Sequence, residues 1–330
     1  MFPRRSTSPL LAVVGASLVM AGCGADPAAT ADAGDDRLTV LAAFYPLQFA
    51  AERVGGDRVT VDNLTAPGAE PHDLELTPQD VGRVSDADLV VLLEGFQPAV
   101  DEAVAADGAA AAYDVRADAR LDLATAGGHE DEHATDEHAT DEHATDEHAT
   151  DEHAAEGSSD PHFWLDPLRL ADVSDALAAR LGEIDAAGAS QYEANAADLR
   201  TELEQLDSEM QAGLTGCTVT ELVTSHDAFG YLAERYGFTQ VGIRGLSPED
   251  EPSAADLARL SDVVTEHGVT TVYSETLVSP ELAETVAAET GASTAVLDPL
   301  EGIADDSAGE DYLAVMRANL EVLRAGQGCP

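Results

Sequence analysis

The sequence predicts an α/β protein of two lobes, each a mostly parallel sheet flanked by helices, joined by one long interdomain helix. Three observations carry this expectation. From Leu38 onward, short apolar runs alternate with stretches of helical periodicity, the pattern of parallel strands linked by helical crossovers. The alternation is interrupted by two long helical stretches, Leu168 to Ile184 and Ser190 to Leu214, and then resumes. At 330 residues the chain also suits about two domains of roughly 100–200 residues each. The expected division is an N-terminal lobe over 37–187, a linking helix over 188–215 and a C-terminal lobe over 216–330.

In the first half, Leu38 to Ala43 and Val59 to Leu64 read as strands. Between them Leu47, Ala50, Ala51 and Val54 lie at helical spacing, and Gly55-Gly56 closes the helix. A loop from Thr65 to Leu76 follows. Thr77-Pro78-Gln79-Asp80 then has the form of a helix start: a capping Thr, Pro in the first turn and an acid three residues after the cap. Ala87 to Leu93 reads as a buried strand and Pro98 to Ala106 as a helix. In the linking helix, Tyr192, Leu199, Leu203, Leu206, Met210 and Leu214 recur at three-, four- and seven-residue intervals. The second half offers strands at 218–224, 240–243, 269–273 and 294–297. Helices are expected over 228–236, 253–267, 280–290 and 311–323.

Composition narrows the function. The formal net charge is -48, and all 16 basic residues are Arg. Such a surface repels phosphate backbones and anionic lipid, which excludes nucleic acid as a partner, and attracts cations. Arg4 and Arg5, the apolar run Leu10 to Met20 and the ending Ala21-Gly22-Cys23 form an export signal over 1–22. Cysteine directly after it resembles a bacterial lipobox, so Cys23 is the expected lipidation site, and 23–36 a flexible tether. The expected location is therefore extracytoplasmic, lipid-anchored to the cell membrane. In that compartment Cys217 and Cys329 form a candidate disulfide; the alternative, two metal thiolates, lacks Cys-x-x-Cys spacing.

The candidate chemistry is metal binding. Three isolated histidines lie in separate turns: Pro71-His72-Asp73, Asp160-Pro161-His162-Phe163-Trp164 and Ser225-His226-Asp227. Each turn is at a strand end or helix start, where an α/β lobe places its ligand groups. Between the first two runs a segment, 127–159, with five copies of Asp-Glu-His-Ala-Thr (the last imperfect) carrying His133, His138, His143, His148 and His153 after His129. It has no apolar periodicity and reads as a disordered, accessory metal-collecting arm. If the lobes face each other, three imidazoles and a carboxylate converge, a set that suits tetrahedral zinc. Affinity alone does not separate zinc from copper(II) or nickel(II). The sequence has no His-Glu-x-x-His and no Gly-x-Ser-x-Gly, so metallohydrolase and serine hydrolase readings have no motif to rest on.

Four stretches resemble one family: Gly-Ala-Glu-Pro-His-Asp at 68–73 with Leu76-Thr77-Pro78, Asp160 to Pro167, Thr-Ser-His-Asp-Ala-Phe-Gly at 224–230, and Leu297-Asp298-Pro299-Leu300. They are similar to the signatures of zinc-binding ABC-transporter solute-binding proteins, whose cluster also holds manganese-binding lipoproteins. The resemblance implies metal between two lobes, with His72, His162 and His226 as ligands to Zn2+, carried as transported ligand rather than resident cofactor. It implies a membrane permease and ATPase as partners, and no enzymatic activity. Manganese relatives typically have Glu where His226 stands. A manganese-binding or adhesin-type receptor of the same fold is the alternative. For the fourth ligand the resemblance implies an acid near Asp298, or water. Asp298 and Glu301 are both candidates, with Asp298 favoured because it follows its strand directly, and Glu70 and Glu275 are weaker ones.

Overall fold

The computed structural model describes residues 37–123, 159–304 and 307–330. The signal and tether, with Cys23, and the histidines of the repeat lie outside the described residues.

Each half is one four-stranded, all-parallel sheet. The first contains β1 (Leu38–Ala42), β2 (Val59–Asn63), β3 (Leu89–Leu92) and β4 (Ala112–Asp114), in the order β2-β1-β3-β4. The second contains β5 (Glu221–Thr224), β6 (Thr239–Gly242), β7 (Thr271–Ser274) and β8 (Ser293–Val296), in the order β6-β5-β7-β8. The topology is the same twice. In each sheet the first strand is central and the chain leaves it in opposite directions, which opens a crevice at the carboxyl ends of the two middle strands.

Ten helices cover the described residues: α1 (Tyr45–Gly55), α2 (Pro78–Asp86), α3 (Pro98–Ala103), α4 (Arg116–Ala119), α5 (Pro167–Ile184), α6 (Ala189–Gly213), α7 (Gly230–Tyr236), α8 (Ala254–Glu266), α9 (Glu281–Thr290) and α10 (Tyr312–Gly326). The cap expected at Thr77 is present. Thr77 and Ser253 each form a reciprocal capping box with the acid three residues on, Asp80 and Asp256. The strand β4 and the short α4 had no expected counterpart, because the Ala-rich run before Tyr113 carries little strand propensity. Past α3 the chain widens into a π turn over Val104–Gly108.

The linking helix α6 has 25 residues and buries one narrow stripe, Tyr192, Ala196, Leu199, Leu203, Leu206 and Met210. Steps of four and three keep that stripe on one face. It packs along α5 and is tied to both halves. Asn195 donates to the Val54 carbonyl at the end of α1 (2.8 Å), and Arg317 of α10 pairs with Glu209 (2.7 Å). Cys217 and Cys329 are disulfide-bonded, across a separation of 112 residues, the pairing expected from the sequence. Among the described residues no helix is long and apolar enough to cross a membrane.

Candidate metal centre

Each histidine is delivered by a different local device. His72 lies in the irregular connection between β2 and α2. There the Gln97 side-chain amide donates to Thr65 Oγ1 (3.0 Å) and to the Pro71 carbonyl (3.1 Å), while the His72 backbone N–H donates to Glu70 (2.9 Å). His162 precedes a 3-10 turn over Phe163–Leu165 that runs into α5. One carboxylate oxygen of Asp160 accepts both its backbone N–H (2.9 Å) and its ring Nδ1–H (2.8 Å). His226 repeats that grip at the end of β5. Glu275, at the end of the adjacent β7, accepts its backbone N–H (3.0 Å) and its Nδ1–H (2.5 Å). His226 and Glu275 thus stand at the crevice between the two middle strands of the second sheet. Gly230 makes room for the His162 grip, since a Cβ there would run into Asp160 Oδ2.

The three rings turn the same nitrogen inward. Nε2 of His72, His162 and His226 lies 3.2, 2.9 and 3.1 Å from a single oxygen, Glu301 Oε1. One donor atom from each of the four residues falls within 4.8 Å of every other. Zinc bonds of about 2.0–2.2 Å would set donors about 3.3–3.5 Å apart along tetrahedral edges, so the three nitrogen-to-oxygen separations already have nearly the right size. Protons on Nδ1 of His162 and His226, fixed by Asp160 and Glu275, leave Nε2 as the free lone pair of a neutral ring, the tautomer a metal requires.

Without metal the same contacts are charge-assisted. Burial, the largest single influence, pulls His226 down, but Glu275 and Glu301 together outweigh it and hold the imidazole well above its ordinary value. His162 is likewise raised, the bonds to Asp160 and Glu301 overcoming its burial. Burial would raise Glu301; the His226 charge and hydrogen bonds from all three rings instead hold it well below the carboxylate range. His72 goes the other way: burial lowers it, and Glu301 only partly compensates. Glu70 is pushed up to about 8, by burial and then by the Glu301 charge. These are the electrostatics of three imidazoles competing for one anion.

The fourth position, favoured at Asp298, is filled by Glu301 in the structure. Asp298 turns back into its own loop, where Oδ1 accepts the Leu300 N–H (2.8 Å) and the Thr276 side chain bonds to the carboxyl. Burial, then the neighbouring Glu301, raises it to about 6. Glu275 serves the His226 ring rather than the cluster. Glu70 holds only the His72 backbone. Of the acids adjacent in sequence to the histidines, Asp160 orients a ring, whereas Asp227 accepts the Gly242 N–H (2.9 Å). The role of Glu275 had one usable signal, that it ends a strand in the same lobe as His226; the pairing of β5 with β7 is what brings the two together.

A cavity of about 780 Å³ adjoins the cluster on one side, lined by His72, Phe96, Arg116, Pro161 and Leu246 among others. Of the four clustered residues only His72 reaches it. Behind the cluster is an aromatic wall. Phe96 meets the His72 ring edge-on at 4.6 Å between centroids, and Trp164 packs against Phe44, Phe96 and His162.

Comparison with known proteins finds zinc-binding relatives. The High-affinity zinc uptake system protein ZnuA of Bacillus subtilis (strain 168) is 36% identical over 324 residues, 96% of either chain. The Zn(II)-bound ZnuA-like domain of Streptococcus pneumoniae AdcA superposes with a TM-score of 0.68 at 31% identity, covering 88% of this chain and 99% of that one. The chain spans only 56% of the full Zinc-binding lipoprotein AdcA. The laminin-binding protein Lmb of Streptococcus agalactiae, described as having adhesin and metal transporting activity, gives a TM-score of 0.70 at 30% identity, over 88% and 99% of the two chains. The family model ZnuA, zinc-uptake complex component A periplasmic, matches residues 40–326, and the chain belongs to that family.

Proposed function

We propose that this chain is the extracytoplasmic receptor of a zinc uptake transporter. It takes Zn2+ into the cleft between a lobe over 37–187 and a lobe over 216–330, linked by 188–215. It then delivers the ion to a membrane permease driven by a cytoplasmic ATPase. The observation that carries the reading is the convergence of three Nε2 atoms on one Glu301 oxygen. His72, His162, His226 and Glu301 are the ligands in this account, and the zinc is cargo on which no chemistry is done. Binding replaces the protons of the charged imidazoles by a cation, which keeps the buried Glu301 and Glu275 neutralised. A nitrogen donor at 226 in place of a carboxylate favours zinc over manganese.

The lipidated residue is Cys23. The repeat histidines, His129, His133, His138, His143, His148 and His153, form an accessory arm that binds zinc weakly, because a sequence without apolar periodicity has no core to offset the chain entropy lost when ligands are ordered. Calorimetric titration with Zn2+ tests both parts. The whole protein should show one tight site and several weak ones, deletion of 127–159 should remove only the weak ones, and His162→Ala should remove the tight one. Metal content after expression in a mixed zinc and manganese medium checks selectivity, and a manganese-loaded protein would refute the zinc assignment.

A further inference from the structure

The loop that carries Glu301 is held from two sides by groups that touch none of the three histidine Nε2 atoms. Asn319, buried on α10, clamps the backbone of Asp298: its Oδ1 accepts the Asp298 N–H (3.0 Å) and its Nδ2 donates to the Asp298 carbonyl (2.7 Å). One residue on, the Trp164 indole Nε1–H donates to the Pro299 carbonyl (2.8 Å). Trp164 belongs to the stretch that also carries His162, and its own carbonyl accepts the Tyr312 hydroxyl (2.6 Å). Tyr312 and Asn319 are seven residues apart on α10, hence on one helical face. That face therefore grips the 298–301 loop directly through Asn319, and indirectly through Trp164.

The loop needs the grip. Leu300 has φ +58° and is fully buried. Left-handed backbone is sterically disfavoured for a bulky side chain and persists only where the surroundings over-determine it. Asp298 Oδ1 supports the turn through the Leu300 N–H. If φ at 300 relaxed to a negative value, the chain after it would rotate and carry the Glu301 carboxylate off the three Nε2 atoms.

We propose that Asn319 and Trp164 are positioning residues that set Glu301 as the fourth donor, so that the oxygen ligand is placed jointly by the last helix and by the His162 stretch. This rests on the ligand set given above. It makes the position of Glu301 depend on the histidine motif of the other half, and so assembles donor geometry and lobe packing together.

The test uses Zn2+ calorimetry, the visible absorption of the Co2+-loaded protein, and melting of the metal-free protein. Trp164→Phe keeps the ring packing and removes the N–H donor; Asn319→Ser removes the clamp. Both should weaken zinc binding by about 10- to 100-fold, the range for loss of a group that orients a ligand. Both should also shift the Co2+ bands toward those of Glu301→Ala. Val264→Ala, in the separate core of the second sheet, should lower the melting temperature and move neither readout. If Asn319→Ser does not fold, Trp164→Phe decides. Wild-type Co2+ bands and zinc affinity in Trp164→Phe, with Glu301→Ala altered, would overturn the positioning role alone. Unaltered binding and bands in Glu301→Ala would instead overturn the ligand set, and this proposal with it.

Discussion

His226 and His72 reach the same oxygen atom but are held in opposite ways. The His226 side chain is fully buried, and Glu275 grips both its backbone and its ring; His162 is held the same way by Asp160. The His72 side chain is 11% exposed. Its carboxylate, Glu70, reaches only the backbone, and among the described residues no hydrogen bond meets its Nδ1. The proposed site is therefore a rigid base of two histidines and a glutamate, completed by a proposed ligand, His72, on a loop that faces the cavity. A receptor must bind its cargo tightly and still give it up, and His72, whose Nδ1 has no carboxylate grip, is the donor whose movement would leave the other three in place.

The largest expected contrast is between the two alanine variants. His226→Ala should weaken zinc binding on the order of a thousandfold, since one of four proposed ligands and a built ring orientation disappear together. It should also destabilise the metal-free protein by about 3–5 kcal/mol, because Glu275 and Glu301 lose a buried partner. His72→Ala should cost metal affinity while changing metal-free stability by only about 1 kcal/mol. Equal losses of stability in denaturant titrations would break the comparison.

The acids give a smaller contrast. Glu275→Gln should weaken binding about 10- to 100-fold by loosening the ring it orients. Glu70→Gln should be nearly silent at pH 7, within about threefold, because a carboxyl raised to about 8 is already mostly protonated there and Gln copies its shape. Comparable losses in the two variants, by calorimetry, would show that Glu70 is part of the rigid base.

Proton release sharpens the same distinction. His226, raised well above 6.5, is charged at neutral pH in the metal-free protein, so zinc must displace its proton; His72, lowered, has none to give. Calorimetry in buffers of different ionisation heat should count about one proton fewer on zinc binding to His226→Ala and an unchanged count for His72→Ala. Zinc affinity should accordingly rise with pH up to the raised value. The smallest effect is on metal-free stability. The contribution of His226 is fully present below its unfolded value of 6.5 and is lost as pH rises through its folded value, so melting should fall over that window. His72 acts in the opposite sense, its stability contribution fading as pH falls from 6.5 through its lowered value. His226→Ala should flatten the fall; a melting temperature that instead rises with pH there would contradict the charged state assigned to His226.

Much of this was legible in the sequence because it is local. Capping boxes at Thr77 and Ser253, the stripe of α6 and the strand-helix alternation are written in adjacent residues. His72, His162 and His226 stood out as isolated histidines in turns. The choice between Asp298 and Glu301 was not legible, because it depends on the backbone sign at Leu300, in a loop held by Asn319 on the last helix and by Trp164 more than a hundred residues away as well as by Asp298 itself. Glu275 was hidden for a related reason: strand order, and not sequence distance, sets it beside His226. Trp164 packs its ring against Phe44, Phe96 and His162, and its indole N–H also reaches across to the other half.

The disulfide has a mechanical consequence. Cys217 and Cys329 lie 112 residues apart in sequence, and between them fall all four strands of the second sheet and the helix that bears Asn319 and Tyr312. A chain pulled by its two ends cannot draw tension through that closed loop. Roughly 380 Å of extended chain is thereby withheld, at about 3.4 Å per residue. Under force the first sheet and His72 would yield while His226 and Glu301 remain in a shielded loop, and a reductant would release the missing length in a single-molecule pulling trace.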